Sequence, residues 1–321
     1  MCRQHNSGGM EIAMIDLSTS GLPLFMDEES FVISMGEGLV FDGYSRKPVM
    51  KMRGLLADES GLLVDESLAA GETGLLADET LPAGETGLLA SAEPFYDVYR
   101  GIVYPEDQAL FQRFDYRYDI TVIMPGQING ECKKTSGHYH GWTAGKTNTY
   151  AEVYEVLQGT ALYVLQKSPD FDREDPSDLT IEDIILVTVP AGQTLLVPPG
   201  YGHCSVNIGE GPLVFSNLAY VPCPLHYDPV KYYHGMSWYA FRDQSGISLK
   251  RNMHYGCLPA PRYATVREKP ELGIAWDCPV YQSFKNNPEA FSFLGNPDPY
   301  VDVIMDALAY HDRLPDFDSI A

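Results

Sequence analysis

The chain has 321 residues and a formal net charge of −22 at pH 7, which argues against nucleic acid or an anionic membrane as partner, since both require clustered Lys and Arg. Its 45% hydrophobic and 21% charged residues describe a folded protein, and 29 Gly with 23 Pro favour a loop-rich, mainly β one. No apolar run approaches the roughly 18 residues that span a bilayer.

Met1 to Ser7 opens the chain without an apolar signal core, so the expectation is neither secretion nor anchoring but a cytoplasmic protein. Six cysteines (Cys2, Cys132, Cys204, Cys223, Cys257 and Cys278) lack paired spacing and read as free thiols. Gly36 Glu37 Gly38 lacks the third glycine of a dinucleotide loop. A tandem repeat follows: GLLVDESLAAGET from Gly61 to Thr73, then GLLADETLPAGET from Gly74 to Thr86. Two copies are too few for a solenoid. The stretch 54–90 is acidic and holds no basic residue; it reads as a duplicated surface segment, with an acidic interaction arm as the sharper alternative. Residues 1–93 are therefore taken as an irregular N-terminal segment.

Short runs with strand character come next, at Tyr116 to Met124, Ala151 to Leu157, Ala161 to Gln166, Ile184 to Val189, Gln193 to Val197 and Gly211 to Tyr220. Turn residues at Gln158 Gly159 and Pro190 Ala191 Gly192 separate them, a spacing that suggests a sandwich or barrel over 94–228. Residues 222–296 give no clear pattern. Asp298 Pro299 opens an amphipathic helix with Val301, Ile304, Met305 and Leu308 on one face, so 229–321 reads as a partly helical extension packed on the barrel.

The chemistry gathers in the barrel. His138 and His140, two apart on a strand, point to one face, and Glu152 and His203 stand on later strand-like segments. Three imidazoles and a carboxylate suit a divalent transition ion with open positions for substrate oxygens. For Glu152 to reach the histidines, Gly141 to Ala151 must form a hairpin loop; Glu155, three residues on, faces the other way. Thr135 and His138 share a face only if a bulge or turn breaks the alternation between them. Ala144 Gly145 Lys146 Thr147 resembles the end of a P-loop, but His140 occupies the required first glycine position. His5, His234, His254 and His311 stand outside any motif and read as surface or core residues.

Gly192 x5 Pro198 x Gly200 x2 His203 x3 Asn207 resembles the second motif of the cupin superfamily, and His138 x His140 with Glu152 and Gly159 resembles the first. From Thr121 to Tyr220 the resemblance narrows to the cupin-type glucose-6-phosphate isomerases known mainly from archaea. It is carried by Thr121 to Gly126, Lys134 to His140, Ala151 to Tyr154, Leu165 Gln166, and Val197 to Pro199 with His203, Val206, Asn207, Ile208 and Gly209; Phe95 to Tyr99 resembles the family's strand leading into the barrel. It implies a double-stranded β-helix (jelly-roll) barrel, and His138, His140, Glu152 and His203 as ligands of Fe(II), with Mn(II), Ni(II) or Zn(II) as alternatives. It further implies Thr121, Thr135, Gly137, Tyr154, Tyr220 and His226 as substrate-binding residues, a sugar phosphate as the small-molecule partner, and a homodimer. The adjacent Lys133 and Lys134 could add positive potential.

The implied reaction interconverts glucose 6-phosphate and fructose 6-phosphate, moving one hydrogen between C1 and C2. Glu152 is the candidate proton carrier, with a metal-assisted hydride shift as the alternative. Two other functions compete: a cupin Fe(II) dioxygenase and a non-catalytic sugar-binding cupin. Thr121, Thr135 and Gly137 favour the isomerase, because a dioxygenase has no need of a phosphate pattern.

Overall fold

The β-patterned runs become strands, and two sheets made from them face each other across an apolar layer. A computed structural model describes residues 13–60 and 93–314; the repeat at 61–86 lies outside them. Among the described residues the strands are β1 (Met14–Asp16), β2 (Leu24–Asp27), β3 (Ile33–Met35), β4 (Gly43–Pro48), β5 (Pro94–Arg100), β6 (Tyr116–Ile123), β7 (Gln127–Ile128), β8 (Glu131–Cys132), β9 (Tyr139–His140), β10 (Glu152–Gln158), β11 (Thr160–Lys167), β12 (Asp183–Pro190), β13 (Thr194–Val197), β14 (Tyr201–Asn207), β15 (Leu213–Tyr220), β16 (Leu225–His226), β17 (Trp238–Asp243), β18 (Gly246–Arg251), β19 (Arg262–Val266) and β20 (Leu308–His311). One sheet runs β13-β10-β15-β6-β5-β4 and the other β14-β11-β12-β19-β20. Both are antiparallel except at β12–β19. The fold is mainly β, a cupin-type double-stranded β-helix.

Strand alternation divides the side chains cleanly. Ile123, Tyr154, Val156 and Phe215 from the first sheet meet Tyr163, Leu165, Ile185 and Val187 from the second in the barrel interior. The outward residues of the first sheet, among them Tyr118, Ile120, Val122, Val153 and Leu218, pack with Tyr281, Phe284, Phe291, Phe293 and Ile304 of the C-terminal region. The outer face of the second sheet is covered by Val230, Tyr233, Met236 and Tyr255. Along β6, β10 and β15 the inward residues change from apolar to polar: Ile123, Thr121, Asp119, Arg117; Val156, Tyr154, Glu152; Leu213, Phe215, Asn217. The barrel is therefore a packed core at one end and a polar cavity at the other.

Three details depart from the expected elements. Residues 14–35 hold three short strands in a sheet of their own. The hairpin β17–β18 lies inside 222–296, where dense aromatics obscure any period-2 pattern. The C-terminal helix is shorter than expected: a 3-10 turn at Asp298–Tyr300 leads into a helix at Val301–Asp306, and Leu308 pairs with Val266 in β20. Asp298 does not cap that helix, because its carboxylate accepts from Asn148 Nδ2 at 2.9 Å. The open edge of β19 recruits the residues that would have extended it.

Candidate metal centre and its cavity

His138 and His203 face each other across a two-bond antiparallel bridge, His138 N–H to His203 O at 3.1 Å and His203 N–H to His138 O at 2.9 Å. β9 follows at once and sets His140 on the same side as His138. The insert at 141–151 folds back as a loop closed by a Trp142–Thr149 bridge, with Thr143 N–H donating to Asn148 O at 2.9 Å. That return delivers Glu152 at the start of β10, beside the imidazoles. One donor atom from each of His138, His140, Glu152 and His203 lies within 4.8 Å of all the others, a spacing and donor chemistry that can hold a metal ion.

The surroundings fix each donor. His140 Nδ1 lies 3.0 Å from the carbonyl of Tyr150, which can only accept, so Nδ1 carries the proton and Nε2 presents a lone pair inward. Asn217 Nδ2 donates to Glu152 Oε1 at 2.9 Å. Glu152 Oε2 lies 3.2 Å from His140 Nε2 and 3.3 Å from His203 Nε2, out of line for a hydrogen bond, and is buried with no bonding partner among the described residues. A buried carboxylate oxygen left this way is costly; a cation among the four donors would satisfy it. Burial pushes the His138 imidazole well below its ordinary value, reinforced by His203 and His140, and burial likewise lowers His203 against the pull of Glu152. Burial opposes ionisation of Glu152, but His140 and His203 beside it hold its carboxyl well below the usual range. Neutral imidazoles and an ionised carboxylate are the ligating forms.

The cluster opens into a cavity of about 520 Å³ whose wall includes Thr121, Thr135, Gly137, Tyr154 and Tyr220. Gly137, at φ 78°, breaks the alternation between Thr135 and His138 so that both reach the cavity. A side chain there would meet Cys204 Cβ and Met236 Sδ at 3.1 Å, so the position accepts only glycine without strain. Thr135 Oγ1 accepts from Ser205 N–H at 3.0 Å, which leaves its hydroxyl proton available. Tyr154 Oη lies 3.1 Å from His203 Nε2. His226 is not part of the wall: it pairs with Tyr139 between β16 and β9, and its ring packs edge-on against Phe171 at 5.2 Å. Tyr227 takes the wall position instead, 5.3 Å from the His138 ring. Lys133 and Lys134 also point elsewhere, Lys133 to Glu93 Oε1 and Pro94 O, both at 3.3 Å, and Lys134 to buried Glu131. Glu155 faces outward from the barrel, accepting from Val280 N–H and from Ser216 Oγ, each at 3.1 Å.

Sequence reasoning missed Lys47, Lys51, Arg53, Arg100, Arg117, Asp119 and Asn217, all of which line the cavity. Parity along β6 and β15 could have found Arg117, Asp119 and Asn217. Lys51 and Arg53 carry no such signal, because they precede the repeat and reach the wall only through the β4–β5 pairing.

Comparison with known proteins gives the following similarities. The sequence profile of the family described as glucose-6-phosphate isomerase (GPI) matches residues 68–257. The glucose-6-phosphate isomerase of Pyrococcus furiosus is 32% identical over 114 residues, 36% of this chain and 50% of that protein. The enzyme of that name from Pyrococcus horikoshii is 27% identical over 141 residues, 41% of this chain and 65% of its own length. The chain thus spans about half the length of the first of these curated relatives. Among solved structures, vicilin from Solanum melongena is similar at a TM-score of 0.28 and 14% identity, over 48% of this chain and 36% of its own. Oxalate decarboxylase from Bacillus subtilis is similar at a TM-score of 0.25 and 19% identity, over 38% and 25%. The family profile spans more than half of the chain and includes all four residues of the cluster, so the chain belongs to the glucose-6-phosphate isomerase family, in its cupin form.

Proposed function

We propose that this protein interconverts glucose 6-phosphate and fructose 6-phosphate, using a divalent ion held by His138, His140, Glu152 and His203. Fe(II) is the proposed ion, with Mn(II), Ni(II) or Zn(II) as substitutes suited to the same donors. The observation that carries the reading is the convergence of this donor set with Thr121, Thr135 and Gly137 on one cavity. The bound ion would supply Lewis-acid polarisation of the sugar's carbonyl oxygen.

The chain's own groups divide the remaining work. Two hydroxyls and the Gly137 N–H are suited to donate to phosphate oxygens. Asp119 and Glu152 are the carboxylates that line the cavity among the described residues, and their surroundings favour one of them as proton carrier. Asp119 is engaged by Arg117, whose Nη2 and Nε donate at 2.8 Å, and by Gly101 N–H at 2.9 Å. Glu152 keeps one oxygen on Asn217 and has the other toward the cluster, so it is the proposed carrier of a proton between C1 and C2. Tyr154 and Tyr220 would pack against the sugar. A cytoplasmic homodimer belongs to the same proposal, as does the division into 1–93, a barrel at 94–228 and an extension at 229–321, with β4 from the first part and β19 and β20 from the last extending the two barrel sheets beyond 94–228.

The test is conversion of fructose 6-phosphate to glucose 6-phosphate by the purified protein, before and after chelation and with each of the four ions restored. Chelator-sensitive turnover is expected. Absence of turnover with any ion, while metal is bound, would overturn the reading.

A further inference from the structure

The cavity wall is cationic in a chain whose net charge is −22. Lys47, Lys51, Arg53, Arg100, Arg117 and Lys231 line it, against the carboxylates of Asp119 and Glu152. Arg117 is bound to Asp119, Arg100 lies 3.7 Å from the same carboxylate, and Lys231 lies 3.8 Å from Asp228. The side chains of Lys51 and Arg53 are exposed, with neither ion pair nor hydrogen bond among the described residues.

Their position is fixed by what lies beneath them. The 3-10 turn Val49–Met52 carries Lys51, and Arg53 follows it. Met52 is fully buried, and its Sδ accepts from Ser136 Oγ at 3.7 Å. Lys47 stands opposite Tyr96 in the β4–β5 register, and Tyr96 Oη lies 3.2 Å from the same Ser136 Oγ. Ser136 sits between Thr135 and Gly137, so the cations are delivered to the end of the cavity that holds the phosphate-type donors. All three precede the family match at 68–257.

We propose that Lys51 and Arg53 form a cationic clamp over the Thr135–Gly137 end of the cavity, selecting ligands that carry a phosphate dianion over uncharged sugars. This deepens the isomerase reading of the same site. Two exposed cations, unpaired among the described residues, on the cavity wall focus positive potential where long-range repulsion from an acidic chain would disfavour anion entry. They act as specificity determinants and are not among the metal ligands.

The experiment compares the full metal-loaded chain, a Lys51→Ala/Arg53→Ala variant and a charge-matched Arg113→Ala/Lys250→Ala control. Inorganic phosphate binding is followed by calorimetry at two salt concentrations, and steady-state kinetics with fructose 6-phosphate. The clamp predicts phosphate binding about tenfold weaker in the first variant, a flatter salt dependence, raised KM at unchanged kcat, and an unaltered control. Phosphate binding equal to the parent, or no binding in the parent, would overturn the clamp. Clamp-dependent phosphate binding without turnover would support the clamp while removing the isomerase reading.

Discussion

At the scale of single residues, the site depends on positions that tolerate no substitute. His138→Ala and His203→Ala are each expected to lose bound metal and turnover together, measured by metal analysis and isomerase assay on the same sample; turnover surviving in either variant would exclude these ligands. Thr135→Val is expected to raise KM for the phosphorylated sugar with metal content unchanged. Gly202 is the less obvious case. A Cβ there would lie 2.7 Å from the Tyr139 ring, which is fully buried, stacked on Phe171 and bonded through its Oη to Gln166. Tyr139 cannot move without shifting His138 and His140 on either side of it. Gly202→Ala should therefore cost about 1–3 kcal/mol of stability and reduce metal occupancy, although residue 202 is no ligand.

Individual elements carry the next level of constraint. The helix Val280–Asn286 lies over the outer face of β6 and β10, with Phe284 buried among Phe111, Phe114, Tyr116 and Phe291. Phe284→Ala is expected to cost about 3–5 kcal/mol in denaturant unfolding while the folded fraction keeps its metal. The first N–H of that helix bonds Glu155, whose carboxyl burial pushes up to about 7, against the hydrogen bonds from Val280 and Ser216. Because the folded value lies above the ordinary 4.5, its stabilising contribution is complete below pH 4.5 and is lost as pH rises through 7. Glu155→Gln keeps the shape and the Val280 N–H bond to its remaining oxygen, with its Nε2 able to donate to Ser216 Oγ, and removes the charge. The stability of this variant relative to the parent should therefore rise by on the order of 3 kcal/mol between pH 4.5 and 8, and a flat difference would refute the buried-carboxyl account.

For the molecule as a whole, a metal bound at a buried cluster that exists only in the folded barrel is linked to folding. At an ion concentration 100 times its Kd the linkage is worth about 2.7 kcal/mol, so chelation should lower Tm by several degrees, and a Tm indifferent to chelator would argue against occupancy of the buried cluster. The sequence by itself determined the mainly β character and the shared face of His138 and His140, because strand alternation and that spacing are local properties of the chain; Glu152 and His203 were joined to them through the resemblance to the cupin motifs. It also stated the two conditions on the site, a hairpin at 141–151 and a break before His138, without resolving them. Only the tertiary structure decided that Gly137 makes that break, that Tyr227 rather than His226 faces the cavity, and that Lys133 and Lys134 turn away to Glu93 and Glu131. It also brought Lys51 and Arg53 to the cavity through pairing of β4 with β5. Those outcomes depend on contacts between segments far apart in the chain, and a pattern of neighbouring residues holds no record of which distant strand will lie beside it.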